Sequence, residues 1–218
     1  MTNDMSIKKL ILVPALITLA VTLLRLTGEL MHWSKALFNP AAGGGGAIVG
    51  IAWLVPVFGV YFGLKMAGAG LAPAAVGPAI GYSVLGFAVM PALGFGAVKL
   101  GLPPQGFGAF AVFIVLAIVG AIIAYRAWPA LGRVLLAYGL AARIPVAIVM
   151  LVAILGNWGT HYDVTQPNFP AMSPIAKWLL IGLLPQLTMW IWFTIAAGMV
   201  FGAVAVAATG RARHPVTA

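Results

Sequence analysis

Six long apolar stretches, separated by short polar or glycine- and proline-containing segments, form the dominant pattern of this chain. A helix needs about 20 mostly apolar residues to cross the hydrocarbon core of a bilayer. The stretches therefore predict an all-α fold, a polytopic membrane helix bundle with six transmembrane helices, in a single integral membrane domain over residues 1–218. The predicted helices cover about residues 10–26, 47–64, 75–98, 107–125, 131–155 and 175–209.

Composition agrees with lipid as the main solvent of this fold. The chain is 63% hydrophobic and 7% charged, whereas an ordinary soluble domain has about a quarter of its residues charged. Its net charge of +9 would favour nucleic acid in a soluble protein. Here the basic residues stand at the ends of apolar stretches, so membrane lipid is the expected partner and nucleic acid is not. With no cysteine, disulfides and thiolate metal sites are excluded, and we predict no metal and no cofactor.

The distribution of lysine and arginine predicts the orientation. An excess of these residues in short loops marks the cytoplasmic side. With a cytoplasmic N-terminus, seven fall inside and four outside, so we expect a multi-pass protein of the cell membrane with both termini cytoplasmic and residues 156–174 as an external loop. The inner residues are Lys8, Lys9, Lys65, Arg126, Arg133, Arg211 and Arg213, and the outer ones are Arg25, Lys35, Lys99 and Lys177.

Proline interrupts five of the six predicted helices. Each proline removes a backbone donor and can kink its helix. The carbonyls released in this way can line a cavity or bind a cation, although the kinks can equally serve packing alone. The five are Pro14, Pro56, Pro91, Pro145 and Pro185.

Arg143 is the residue from which most of the functional hypothesis starts. It lies near the centre of the fifth predicted helix, where an unpaired charge costs at least about 2.5–3.5 kcal/mol. Such a side chain should face the bundle interior, either as a site for an anion or polar head group or as a structural arginine that pairs with carbonyls or a carboxylate. Gln186, Thr188 and Ser83 are polar residues within the other spans, and we expect them to line a path with Arg143.

Arg25, Glu29 and His32 are spaced so that they share one face at the outer end of the first helix. We expect Glu29 to form an ion pair with Arg25 at the membrane interface, or with Arg143 if the first and fifth helices adjoin. The alternative functional hypothesis is that these residues form a gate or a proton site. His161, Tyr162 and Asp163 lie in the predicted external loop, which we expect to be solvated.

Enzyme motifs are missing from the sequence. It has no HExxH and no GxSxG, and all its histidines lie outside the predicted apolar cores. We therefore expect a protein without enzymatic activity. Pairs of glycines four residues apart, such as Gly59 and Gly63, favour close helix contacts within the bundle, in a homo-oligomer or with a partner membrane protein.

Two functions remain open on these grounds. The first is a small protein that binds or permeates a small anionic or neutral solute through a proline-kinked bundle. The second is a non-catalytic membrane subunit or scaffold that holds a protein partner or a lipid. A cavity that reaches Arg143 would favour the first function, and a solid bundle with Arg143 paired would favour the second.

Overall fold

The computed structural model describes residues 6–102, 107–165 and 169–210, and these residues form helices and loops without a strand. We number six helices. They are α1 (Ile7–Leu30), α2 (Leu54–Gly68), α3 (Val76–Lys99), α4 (Phe107–Ala127), α5 (Pro129–Gly156) and α6 (Pro174–Thr209). Five of them are long and apolar enough to span a membrane, and α2 is a shorter apolar helix of 15 residues. The protein is a multi-pass membrane helix bundle, as the sequence predicts.

The predicted boundaries agree with the structure within a few residues except at the start of α2. The prediction places this start at residue 47, but the helix begins at Leu54. The preceding residues fold back on the first part of the loop after α1, where the amides of Ile48 and Val49 donate to the carbonyls of Ala36 and Leu37 at 3.1 Å each. Apolar residues in this loop extend the hydrophobic pattern without extending the helix.

Helix α6 lies at the centre of the bundle and packs against α2, α3, α4 and α5, while α1 packs mainly against α5. The contact between α2 and α6 is backbone against backbone, because Gly59 faces Gly198 and Gly63 faces Gly202. These glycines therefore make the predicted close helix contact within one chain. Gly77 and Gly81 of α3 have open space in front of them within the described chain.

Three of the five prolines lie inside helices as predicted, namely Pro14, Pro91 and Pro145. Pro56 does not interrupt α2, because the later start puts it in the first turn, where its missing amide costs nothing. Pro185 lies in α6 directly after a π-helical turn, Trp178–Leu183, and the helix breaks again at Thr188. Without an amide at Pro185 the regular hydrogen-bond ladder cannot continue, and the π turn is a common accommodation.

The loop after α1 and the loop after α5 meet at one end of the bundle, as expected for two loops on the same side of the membrane. The short 3₁₀ turn Ala42–Gly44 lies at this meeting point, against Arg25 and the second loop. Which side of the membrane this end faces remains a prediction. Residues 1–5 and 211–218 lie outside the described residues, and these include both termini and the predicted inner residues Arg211 and Arg213.

Candidate functional site

A cavity of about 490 Å³ opens at the end of the bundle where the two loops meet. Its walls come from α1, α5 and α6. Residues 43–53, which include the glycine-rich segment Gly43–Gly46 and Trp53, close it on one side. His161 and Tyr162 of the second loop complete the lining, and we call them the roof of the cavity. The volume lies in the range of small-molecule sites, which is about 300–1,000 Å³.

Arg143 lies at the inner part of this cavity, near the middle of α5. The residue is only 3% exposed and borders the cavity. Its guanidinium carbon lies 4.4 Å from the centroid of the Trp190 ring, which is cation–π geometry. No hydrogen bond or carboxylate partner of Arg143 is found among the described residues. The arginine therefore keeps hydrogen-bond donors available toward the cavity.

Gln186 faces the same cavity from α6, one turn before Trp190. Its amide nitrogen donates to the sulfur of Met150 at 3.7 Å. Its Oε1 atom is buried without a hydrogen-bond partner, and within the described part of the chain it is the one buried side-chain atom in this state. An unsatisfied buried carbonyl oxygen is costly, so this oxygen is an acceptor that a bound molecule or water can satisfy.

Arg25 and Glu29 form a buried ion pair at the C-terminal end of α1. The Nε atom of Arg25 donates to Oε1 of Glu29 at 2.8 Å. The Nη2 atom donates to the carbonyls of Gly44 at 2.9 Å and of Asn39 at 3.2 Å. This confirms the predicted pair of Glu29 with Arg25 rather than with Arg143. The two bonds from Nη2 also hold this part of the loop against α1. Gly44 has no side chain, and one at this position would collide with the His161 ring.

Glu29 also holds His161, whose backbone amide donates to Oε2 at 2.9 Å and whose Nδ1 lies 2.6 Å from Oε1. A carboxylate already bound to an arginine can only accept, so Nδ1 carries the proton and Nε2 of the neutral ring does not. Burial lowers the pKa of His161 from its ordinary value of 6.5, and the charge of Arg25 lowers it further, although Glu29 opposes both. The ring is therefore neutral at pH 7.

The segment around the roof is packed into the bundle, which corrects the prediction of a solvated external loop. Tyr162 is 3% and Asp163 is 2% exposed. Asp163 accepts from the amides of Gly159 and Thr160 and from the Thr160 hydroxyl, at 2.7–2.9 Å. The hydroxyl of Tyr162 donates to the carbonyl of Thr22 at 3.2 Å, and burial raises the pKa of this phenol, which keeps it neutral. Residues 166–168 of the predicted loop lie outside the described residues.

Toward the other end of the bundle a group of aromatic and hydroxyl side chains lies below Arg143. Tyr138 is five residues before Arg143 in α5, which is about 7.5 Å along the helix. Its hydroxyl lies 2.8 Å from that of Thr18, and its ring packs against Phe58 and Phe62, each at 5.4 Å between centroids. These side chains are buried and close the bundle beneath the cavity.

The structure brings together some of the predicted site residues and separates others. Arg143, Gln186 and Arg25 border the cavity, and Glu29 lies directly behind its lining. Ser83 is buried in α3, where it bonds the carbonyl of Ala79, and does not border the cavity. The remaining two, Thr188 and His32, also lie away from it.

The separations have local causes. Thr188 sits at the break in α6, and its hydroxyl bonds the carbonyl of Leu184. His32 is exposed, because α1 ends at Leu30 and a positive φ of 52° turns the chain away. The expected common face of Arg25, Glu29 and His32 therefore holds for the first two only.

Sequence reasoning missed His161, Tyr162 and Trp190 as members of this site. For the first two, the sequence contains an indication in the short polar run from Asn157 to Asp163. Asn157 and Gly159 have positive φ angles there, and the amides of Gly159 and Thr160 donate to the Asp163 carboxylate, so the run forms an ordered turn. Trp190 carries no signal of its own, since its role depends on the register between α5 and α6.

Comparison of the sequence with protein-family models finds none that matches. Comparisons with curated proteins and with solved structures likewise find no similar one. The functional argument therefore depends on the chemistry of the cavity.

Proposed function

We propose that this membrane protein binds a small anionic solute in the cavity, with Arg143 as the principal anion-binding group. One observation carries the proposal: Arg143 is buried, faces the cavity, and has no anionic or hydrogen-bonding partner among the described residues. A buried cation near the middle of a membrane helix is expensive unless something pairs with it. An anion in the cavity is the partner that the site lacks.

Neighbouring groups suit such a solute. Trp190 covers one face of the guanidinium and leaves its edge for a carboxylate, sulfonate or phosphate. The free Oε1 of Gln186 accepts a hydrogen bond from a donor elsewhere on the solute. Val146, Ile51 and Ile181 give the cavity apolar walls. The preferred ligand is thus a small anion that also has an apolar portion and a hydrogen-bond donor.

Binding can be tested on the purified protein in detergent by intrinsic tryptophan fluorescence and thermal unfolding. The probes are acetate, benzoate, ethanesulfonate and inorganic phosphate, with choline and urea as cationic and neutral controls. We expect at least one anion to raise the unfolding temperature and to change the Trp190 emission, and a Trp190→Phe variant should lack the emission change. Binding of choline alone, or of none of the anions, would contradict the proposal.

Substitution of Arg143 separates a binding role from a structural one. Arg143→Met should weaken anion binding by about tenfold or more, the value of one charge-assisted hydrogen bond, while the protein remains folded. Arg133→Met is a matched control, because Arg133 is an exposed residue of the same helix away from the cavity. Unchanged anion binding in Arg143→Met would exclude Arg143 as the binding group.

We propose further that the bound anion can pass through the bundle, so that the protein is a permease and not an enzyme. The prolines and the π turn of α6 beside the cavity are compatible with helix movement. Passage requires Tyr138 and Phe58 to separate, because they close the bundle below Arg143. Uptake of a radiolabelled anion from the panel into proteoliposomes tests this step; binding without uptake would leave a binding protein and refute the permease.

A scaffold role is the competing proposal, and one observation favours it. Gly77 and Gly81 form a small-residue face on α3 with open space in front of it, which suits close approach of another helix. Cross-linking in membranes of a chain with Gly81→Cys would capture a second copy or a partner protein. No cross-linked species would leave the anion-binding function as the sole proposal.

A further inference from the structure

His161 borders the cavity with a nitrogen for which the fold provides no partner. The carboxylate of Glu29 accepts hydrogen bonds from Nδ1 and from the backbone amide of His161. No hydrogen bond to Nε2 is found in the described part of the chain. The side chain is 15% exposed and borders the cavity, and its Cδ2–Nε2 edge lies next to Gly44, another lining residue. Nε2 is therefore an unprotonated acceptor on a ring that lines the cavity in which we propose the anion binds.

We infer that the cavity takes doubly charged anions together with one proton, and that Nε2 of His161 accepts this proton. The inference rests on the proposed anion site and names its preferred class of solute. It concerns a second group of the cavity, distinct from Arg143. The proton comes from the water at the open end of the bundle and adds to the lone pair of Nε2, and no covalent bond to the solute is formed.

The charges around the cavity lead to this class of solute. Arg25 and Glu29 neutralise each other as an ion pair, and Asp163 is held within its own loop and does not border the cavity. Among the described residues that line the cavity, Arg143 is therefore a cation without a carboxylate partner. A singly charged anion balances it. With a doubly charged anion, one negative charge remains unbalanced by Arg143 in a cavity with apolar walls. A proton on His161 balances this second charge.

Other charged groups do not replace His161 in this role. From α1 it faces Arg25 and Glu29, and in its own loop it neighbours Asp163 and the phenol of Tyr162. Asp163 is held by three hydrogen bonds from the loop, and Tyr162 is a neutral donor to a backbone carbonyl. On α5 the nearest charged group of the cavity is Arg143, which remains a cation. His161 is thus the group whose charge can change near pH 7.

Proton and anion binding must assist each other by the same factor, because linkage is reciprocal. Burial and Arg25 keep the pKa of His161 low. A second negative charge near Nε2 acts in the opposite direction and favours the imidazolium. Glu29 on Nδ1 stabilises that cation further, since a carboxylate paired with the far nitrogen supports protonation of the near one.

A matched pair of probes tests the inference, namely ethanesulfonate and ethanedisulfonate. They differ by one sulfonate, and neither titrates near neutral pH. We expect the affinity for ethanedisulfonate to rise as the pH falls from about 8 to about 6, approaching tenfold per pH unit for one linked proton. The affinity for ethanesulfonate should change by less than about twofold. In weakly buffered solution with a pH dye, ethanedisulfonate should remove up to about one proton per protein from the medium.

His161→Asn identifies the acceptor, because the asparagine amide can still donate to Glu29 in place of Nδ1 while the site of Nε2 is lost. This variant should bind both probes without pH dependence. His32→Gln is the control, since His32 is exposed outside the cavity, and it should behave as the unmodified protein. The proton count on the unmodified chain stands even if His161→Asn does not fold.

The outcomes separate the two proposals. If neither probe binds at any pH, the anion site itself is refuted. If ethanedisulfonate binds without proton uptake, or if His161→Asn keeps the pH dependence, the anion site stands and His161 is not its proton acceptor.

Discussion

Replacing Gly59 with alanine should force α2 away from α6 and destabilise the bundle. A Cβ atom at this position would lie 2.5 Å from the carbonyl oxygen of Gly198 and 2.7 Å from its Cα. The first distance is about 0.9 Å inside the 3.4 Å at which ordinary contact begins. The obstructing atoms are backbone, so no side-chain rotation relieves the clash and one helix must move.

Overpacking of this kind costs about 1–3 kcal/mol. We expect Gly59→Ala to lower the free energy of unfolding by an amount in this range, and Gly63→Ala to do the same, because its Cβ would lie 2.6 Å from the Cα of Gly202. The two sites are one helical turn apart and share the same contact. Once α2 has moved for the first alanine, the second meets less obstruction, so the double variant should lose less than the sum of the two.

Reversible unfolding in mixed detergent micelles, followed by circular dichroism, measures these free energies. Gly81→Ala is the control, since a Cβ there meets nothing within 4 Å and alanine favours the helix; it should unfold at or above the wild-type midpoint. The reasoning fails if Gly59→Ala unfolds at the same midpoint as the unmodified protein, or if Gly81→Ala is as damaging as Gly59→Ala.

Three further predictions concern the roof of the cavity. Glu29→Gln leaves Arg25 and the amide of His161 without their shared carboxylate, and it should cost about 3–5 kcal/mol; amide hydrogen exchange of residues 159–163 should accelerate first, and unchanged exchange would contradict the contact. The lowered pKa of His161 means that the unfolded chain binds a proton first. Stability should be full above pH 6.5 and fall below it, by at most about 1.4 kcal/mol per pH unit; a flat profile from about pH 7 to about pH 5 would refute this. Tyr162→Phe removes the hydrogen bond to Thr22, and a thermal unfolding curve should report a loss of about 1 kcal/mol.

Much of the fold follows from the sequence because lipid allows few solutions. Backbone polar groups must be satisfied internally, so each long apolar stretch has to be a helix. Arg143 and Gln186 were identifiable because a polar residue in such a stretch needs a polar place inside the bundle. The pair of Arg25 and Glu29 was identifiable because its members are one helical turn apart. In each case the decisive information is local.

The rest of the site depends on contacts between distant parts of the chain. Glu29 and His161 are 132 residues apart, and no periodicity predicts that this loop folds inward onto α1. The late start of α2 was missed because Ile48 and Val49 are apolar in a loop that the glycines shape. Thr188 was placed in a continuous helix, but the break that follows Pro185 directs it elsewhere.

The long separation of Glu29 from its loop partner also has a consequence for biosynthesis. Helix α1 leaves the ribosome with Arg25 and Glu29 already one turn apart, so the two charges can neutralise each other while the later helices are made. His161 follows only after α5, and the roof therefore closes over a bundle whose first five helices have been synthesised. A nascent chain halted before this loop would lack both the roof and α6, so the cavity that Arg143 borders is completed only when the last helix has been added.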